Sequence, residues 1–421
     1  VSGIVIVGAG QAGFQAAASL REAGAHAPIT IVGEEPGLPY QRPPLSKAYL
    51  AGKSDAEALS LRPASYLAEH RITLRAGTRA AGIDRAARRL HLGAGGSLPY
   101  DHLVLATGAR NKALPVPGAA LDGVRQLRGL ADADRLKADL AAAGRVAVVG
   151  AGFIGLEFAA VAAARGLAVT VVEATARPMA RAVSREMGAF FRAAHEALGV
   201  RFAFEAGVEA IEGTGGQGTG GQETESRVTG LRLVGGETLP VDLVLVGIGV
   251  RPNQELAEEA GLAVSDGIRV DAFLATDDPA ISAIGDCARF PSPFAQGLSP
   301  DGSTRIESVQ NAIDQGRSLA ARLTGRAAAY AAVPWFWSDQ GRHKLQMAGL
   351  TAPDDASVVR GSGEAFSVFR FRNGALSGVE SVNRAADHMI ARRLLAAGTH
   401  LTPDQAADPG FDLKALAMRA P

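Results

Sequence analysis

Two glycine triplets share one spacing in this 421-residue chain: Gly8, Gly10 and Gly13, then Gly150, Gly152 and Gly155. Each follows an apolar run, Ile4-Val5-Ile6-Val7 or Val146-Ala147-Val148-Val149, and leads into an alanine-rich stretch of helical character. A strand, a glycine turn and a helix in that order can cradle a pyrophosphate. The first glycine makes the tight turn, the second lets backbone approach the phosphates, and the third lets helix and strand pack closely. Free N–H groups and the dipole at the helix start then favour the anion. A lone glycine motif also arises from packing alone. Here each one is completed by an acid past a second apolar strand, Glu34 twenty-one residues after Gly13 and Glu173 eighteen after Gly155. A carboxylate there accepts hydrogen bonds from ribose. At Glu173 it also repels a 2′-phosphate, so NAD is expected over NADP. Arg177 and Arg181 temper this, because a nearby arginine can accommodate a phosphate. Their other roles would be a solvated face or a contact to the NAD pyrophosphate.

Two dinucleotide sites need two dinucleotides, one the bound redox carrier and one the exchanging donor. Flavin suits the first role, since it accepts a hydride and can return electrons singly. Ala283-Ile284-Gly285-Asp286 ends a strand with an acid suited to the ribityl hydroxyls. In Tyr40-Gln41-Arg42-Pro43-Pro44-Leu45-Ser46-Lys47 two prolines fix the backbone and present Arg42 and Lys47. The chain has six lysines, which makes this one less incidental. Lys47 would supply positive charge beside the flavin. A buried cation needs a partner, and Glu157, in the helix after the second glycine turn, is the candidate. The bland alternatives are a solvated turn and an exposed helix acid. Cys287 reads as a small buried hydrophobe rather than a redox thiol.

Positioning these residues takes two β-turn-α-β units with strands buried on both faces. Leu103 to Gly108 and Leu243 to Gly249 echo each other as later strands ending in glycine. The layout expected is α/β, with two Rossmann-like dinucleotide-binding domains in a glutathione-reductase-like arrangement. Residues 1–112 and 248–325 form a discontinuous FAD-binding domain, and 113–247 an NAD-binding domain inserted in it. Residues 326–421, with Trp335, Trp337 and short β-like runs, read as a C-terminal α+β domain. The low-complexity stretch 213–226 reads as a surface loop without function.

Composition narrows the classes further. Lys+Arg and Asp+Glu stand equal at 43 each, which removes the usual electrostatic case for nucleic acid or membrane. No apolar run reaches the roughly 18 residues needed to span a bilayer. The start leads straight into a strand-like run, so no signal peptide is expected. One cysteine can form neither an internal disulfide nor a CxxC pair, which fits a reducing cytoplasm. No metal site is expected.

The stretches GAGQAG, RPPLSK, LATGAR, GAGFIGLE, GDCARF, RIESVQNA and PWFWSD together resemble the FAD-dependent NADH:ferredoxin reductases of bacterial oxygenase systems. This is the family of putidaredoxin reductase and the dioxygenase ferredoxin reductase components, and the resemblance covers almost the whole chain. It implies FAD contacts at Ala12, Glu34, Arg42, Lys47, Ala80, Arg128, Asp286, Val309 and Trp337. It implies NAD contacts at the second glycine turn with Ile154, Glu157, Glu173, Arg181 and Gly249. It also implies the activity: a hydride from NADH, then single electrons to a small acidic 2Fe–2S ferredoxin serving a haem-thiolate monooxygenase or a ring-hydroxylating dioxygenase. The rival readings are a direct quinone or dye reductase, a thiol-dependent enzyme of the same fold, and a redox-gated interaction protein like apoptosis-inducing factor. Since net charge is zero, docking would need a local basic patch, with Arg289, Arg305 and Arg342 as candidates. The alternative is that each pairs internally. Gly341-Arg342-His343 departs from the stretch expected there, and partner choice could differ with it.

Overall fold

The computed structural model describes residues 2–214 and 227–419. The surface-loop reading for 213–226 falls almost wholly outside them. The chain divides into two compact units. The first comprises 1–41, 59–110 and 251–336; the second comprises 42–58, 111–250 and 337–421.

The first unit is built on a five-stranded sheet. Its order is Ile281–Ala283, His102–Leu105, Ile4–Val7, Ile29–Val32 and Ile72–Arg75. Every neighbouring pair is parallel. Such strands are covered on both faces, which is why Ile4–Val7 is apolar throughout and buried at all four positions. Each fully buried aliphatic side chain contributes about 1.5–3 kcal/mol. The helix Gln11–Glu22 packs along Val309–Leu323. Alanines at 16, 17 and 18 are buried there. Gly316 permits the close approach, because a Cβ on it would lie 3.0 Å from the Ala16 nitrogen.

The second unit repeats the plan. Its parallel sheet runs Arg201–Phe204, Ala168–Glu173, Arg145–Val149, Leu243–Val246 and Val124–Arg125. Val149 pairs with Val172 and Val246, so the strand before the glycine turn sits at the centre. The same unit holds most of an antiparallel sheet. Its order is Trp335–Gln340, His343–Gly349, Ala375–Val382, Ala365–Arg372 and Ala356–Ser362. The helix Ala385–Ala396 packs on it. The second unit thus takes in the Pro43–Ser46 turn and residues 337–421 of the 326–421 segment read from sequence as a separate C-terminal domain, while 326–336 fall in the first unit. Among the described residues no helix is long and apolar enough to cross a membrane.

Candidate dinucleotide and redox sites

The two glycine turns are built alike. At Gly8 φ is +114°, and a Cβ would fall 2.0 Å from the Ala106 carbonyl oxygen. At Gly150 φ is +103°, and a Cβ would meet the Gly247 oxygen at 2.5 Å. Only glycine fits either place. By contrast, a Cβ at Gly10 would have nothing within 4 Å, and at Gly152 it would only touch that limit. This open space faces the start of a helix, Gln11–Glu22 or Phe153–Ala164, whose N-cap glycine supplies no side-chain cap. Uncapped N–H groups beside space kept clear of side chains are what a pyrophosphate requires, so the residues fit both dinucleotides.

In the first unit Glu34 stands exposed just past its strand and pairs with Arg79 at 3.4 Å. Ala80 begins the next strand, so it lies beside the Glu34 loop. Gly285 takes φ +76°, and its Cβ position lies 2.9 Å from the Ala12 Cβ, which puts Asp286 against the first glycine turn. The Gly285 N–H donates to Gln315 Oε1 at 2.7 Å, joining that turn to the helix that starts at Val309. Gly8, Gly10, Ala12, Gly13, Asp286 and Val309 therefore share one neighbourhood.

The second unit holds the remaining residues predicted for the flavin. Arg42 donates to the Arg128 carbonyl at 2.8 Å, so these two are brought together. Pro43–Ser46 forms a 3₁₀ turn, and Lys47 follows it directly. Lys47 Nζ lies 2.9 Å from Glu157 Oε1, with the lysine side chain 18% exposed and the glutamate 1%. The same oxygen accepts from Ser338 Oγ at 2.6 Å, and Oε2 accepts from Ser46 Oγ at 2.5 Å. Burial pushes the Glu157 carboxyl above the ordinary carboxylate range, while the Lys47 ammonium and the two hydroxyls pull it back. Trp337 lies on the strand Trp335–Gln340, one residue before Ser338.

On the nucleotide side, Glu173 Oε2 accepts from the Ala151 N–H at 2.7 Å and Oε1 from the Thr175 N–H at 2.9 Å. The acid expected to read ribose is thus bonded into the glycine turn. Ile154 is 43% exposed at the helix start, a large apolar side chain left open beside the cradle. Gly249, at φ +100°, has clear space around it. Arg181 is exposed. Arg177 is otherwise engaged: its guanidinium donates to the Ser184 and Ala180 carbonyls at 3.1 and 2.9 Å, stapling its own loop. It is therefore a loop anchor rather than a phosphate ligand in waiting.

The basic docking patch is revised. Arg289 pairs with Asp301, Arg305 with Asp266 and Glu307, and Arg342 with Glu364. Arg305 is only 9% exposed and also donates to the Asp286 carbonyl, which makes it an internal brace. Arg342 is 74% exposed. Cys287 is fully buried against the Leu105 and Ile284 carbonyls, and burial pushes its thiol pKa upward.

Sequence reasoning missed Ser46 and Ser338 as donors to Glu157, although both lie inside stretches already singled out. It also missed Gln340, Thr175 and the Glu380 carboxylate, which accepts from Ser184 Oγ at 2.7 Å and from Arg370 at 2.9 Å.

Two glycine cradles in parallel sheets, each with an acid at or just past the second strand, and a buried lysine–glutamate pair define an FAD- and NAD(H)-dependent oxidoreductase. The chain belongs to the pyridine nucleotide-disulphide oxidoreductase family, which residues 2–316 match; residues 335–417 match the reductase C-terminal family. It is 53% identical to rhodocoxin reductase of Rhodococcus erythropolis, over 99% of this chain and 94% of that protein. A ferredoxin reductase from Rhodopseudomonas palustris superposes with TM-score 0.92 at 49% identity, covering 98% of this chain and 99% of that one. Putidaredoxin reductase, solved in covalent complex with putidaredoxin, superposes with TM-score 0.92 at 38% identity, covering 99% and 98%. Its counterpart from Pseudomonas putida is 39% identical over 99% of this chain and 97% of that protein.

Proposed function

We propose that this chain carries electrons from NADH through FAD to a 2Fe–2S ferredoxin that serves a haem-thiolate monooxygenase or a ring-hydroxylating dioxygenase. The observation that carries this reading is the Lys47–Glu157 pair in a chain whose sole cysteine is sealed away. With a single buried cysteine the chain has no dithiol pair to take electrons within it, which supports an outside acceptor. The relatives named as ferredoxin reductases, and the one solved with its redoxin, support that destination.

When bound, FAD supplies the group that takes up a hydride and gives up electrons one at a time. The chain's own part is to hold the reactants. Gly8, Gly10, Ala12, Gly13, Glu34, Ala80, Asp286 and Val309 in the first unit, and Arg42, Lys47, Arg128 and Trp337 in the second, are the FAD residues in this reading. Gly150, Gly152, Ile154, Gly155, Glu157, Glu173, Arg181 and Gly249 receive NADH. Holding NADH in reacting geometry supplies most of the rate. Lys47 offers positive charge where negative charge arrives, and Glu157 keeps that charge balanced within the fold. Residues 1–112 with 248–325 act as the FAD domain and 113–247 as the NAD domain. The partner is an acidic ferredoxin, and of Arg289, Arg305 and Arg342, the arginines considered for docking, Arg342 is the most exposed. A reducing cytoplasm suits this role.

The test is turnover of yellow, FAD-loaded protein with NADH, comparing a 2Fe–2S ferredoxin with a quinone and with no acceptor. Ferredoxin-dependent cytochrome c reduction, well above either control, is expected. Quinone reduction that ferredoxin does not exceed would overturn the reading. So would a long-lived reduced complex that ferredoxin fails to discharge.

A further inference from the structure

Met179 is a non-glycine residue at φ +51°, a conformation that L-residues adopt at a cost. Its carbonyl accepts from the Ala182 and Val183 N–H groups at 2.9 and 3.1 Å, and two further contacts tie it outward. Its N–H donates to the Ala151 carbonyl at 3.0 Å, inside the second glycine turn. Its thioether sulfur accepts from Gln340 Nε2 at 3.5 Å. Ala151 is the residue whose N–H is held by Glu173. Met179 is therefore tied directly to the nucleotide cradle.

Gln340 is buried, and it makes more than this one contact. The same Nε2 donates to Ser338 Oγ at 3.3 Å, and Ser338 in turn donates to Glu157. Its Oε1 faces His195 Nε2 at 2.9 Å. An amide oxygen only accepts, so His195 carries its proton on Nε2. The three arms of one amide thus reach the loop behind the NAD cradle, the Lys47–Glu157 pair and the end of the helix Arg185–Glu196. Ser338 Oγ thus accepts from Gln340 while it donates its one proton to Glu157, so the hydroxyl links the amide to the carboxylate.

We propose that Gln340 is a positioning residue that sets the loop behind the second glycine turn and the Lys47–Glu157 pair in one register, so that NADH affinity and the rate of flavin reduction are governed together. This rests on the reading that the second glycine turn and the Lys47–Glu157 pair serve NADH. Gln340 touches neither cofactor in this account; it acts through Met179 and Ser338.

The test uses FAD-loaded protein and two readouts: the affinity for NAD⁺ by calorimetry, and the rate of flavin bleaching at saturating NADH. Gln340→Leu keeps the bulk and removes all three arms. It should weaken NAD⁺ binding and slow bleaching, each by about fivefold or more, with FAD content unchanged. Ser338→Ala breaks only the arm to Glu157, and Met179→Leu only the arm to the loop. Each should move both readouts in the parent protein; in the Gln340→Leu background Met179→Leu should move neither, and Ser338→Ala only the bleaching rate, through its own bond to Glu157. Should Gln340→Leu fail to fold, the Met179→Leu/Ser338→Ala pair decides. Non-additive effects in both readouts support the joint, and independent, additive effects overturn it. Normal values for Gln340→Leu in both readouts would also overturn it. Lys47→Ala and Glu173→Gln run in parallel. If those two move neither readout, the site assignment itself fails and the joint fails with it. If they do and Gln340→Leu does not, only the joint fails.

Discussion

The ammonium of Lys47 lies 2.9 Å from a Glu157 carboxylate that is almost wholly removed from solvent. Removing the lysine leaves that carboxylate without its largest stabilising neighbour, and burial then favours the neutral acid. Lys47→Ala should slow flavin reduction by at least about tenfold and change NADH binding by less than about threefold. Stopped-flow bleaching across NADH concentrations separates the two. Loss of FAD with an unchanged reduction rate would make Lys47 a binding residue instead.

Nucleotide choice turns on Glu173. NADH should be preferred over NADPH by at least about tenfold in kcat/KM. Glu173→Gln removes the charge and keeps an acceptor for only one of the Ala151 and Thr175 N–H groups, so it should narrow the gap at some cost to the turn. Arg177→Ala should not narrow it, because that guanidinium is committed to the Ser184 and Ala180 carbonyls. Steady-state kinetics with both nucleotides is the check. Equal use of both by the unaltered protein would contradict the role given to Glu173.

Acid should weaken the fold through two histidines. Burial, aided by Arg322, lowers His102 from 6.5 to about 4; burial, aided by Arg392, does the same for His388. Both are neutral in the folded chain and take up protons sooner when unfolded. Their contribution is complete above about pH 6.5 and is lost as pH falls toward 4, at no more than about 1.4 kcal/mol per pH unit for each. Glu157 works the other way: its raised value means stability is lost as pH rises through it. Denaturation midpoints at pH 7 and pH 5 should show a loss that His102→Gln and His388→Gln reduce. A loss of the same size in the double variant would assign it to other groups, such as His195 and His343, also lowered by burial, or the paired carboxylates.

Docking, if electrostatic, should fail with salt. Ferredoxin reduction should slow between about 0.05 and 0.5 M salt, where screening becomes severe, while ferricyanide reduction should hold. Arg342→Glu should hurt the ferredoxin reaction selectively. Arg305→Glu is expected to disturb the fold instead, since Arg305 braces Asp286, Asp266 and Glu307. Equal salt dependence for both acceptors, with no selective loss in Arg342→Glu, would remove the electrostatic model.

Both nucleotide folds were legible in the sequence because their signals are local. Gly8 and Gly150 follow their strands directly, and Glu34 and Glu173 end the next ones. The Lys47–Glu157 pair was legible from a chemical demand, a buried cation needing an acid. Ser338 and Gln340 were not, although their neighbour Trp337 was. They approach Glu157 and Met179 from sequence separations of more than a hundred residues, and serine or glutamine in a strand carries no sign of burial. The ion pairs of the arginines were hidden for the same reason. Arg305 looks like an exposed charge until Asp266, thirty-nine residues earlier, is placed against it.

The sealed position of Cys287 gives this chain a built-in reporter. It is the only thiol, it sits in the core of the first unit, and its pKa is raised, so a thiol reagent reaches it only when that core opens. The labelling rate therefore measures how often the first unit breathes, with no engineered probe. Run with and without FAD, it would read how far the bound cofactor holds that unit shut.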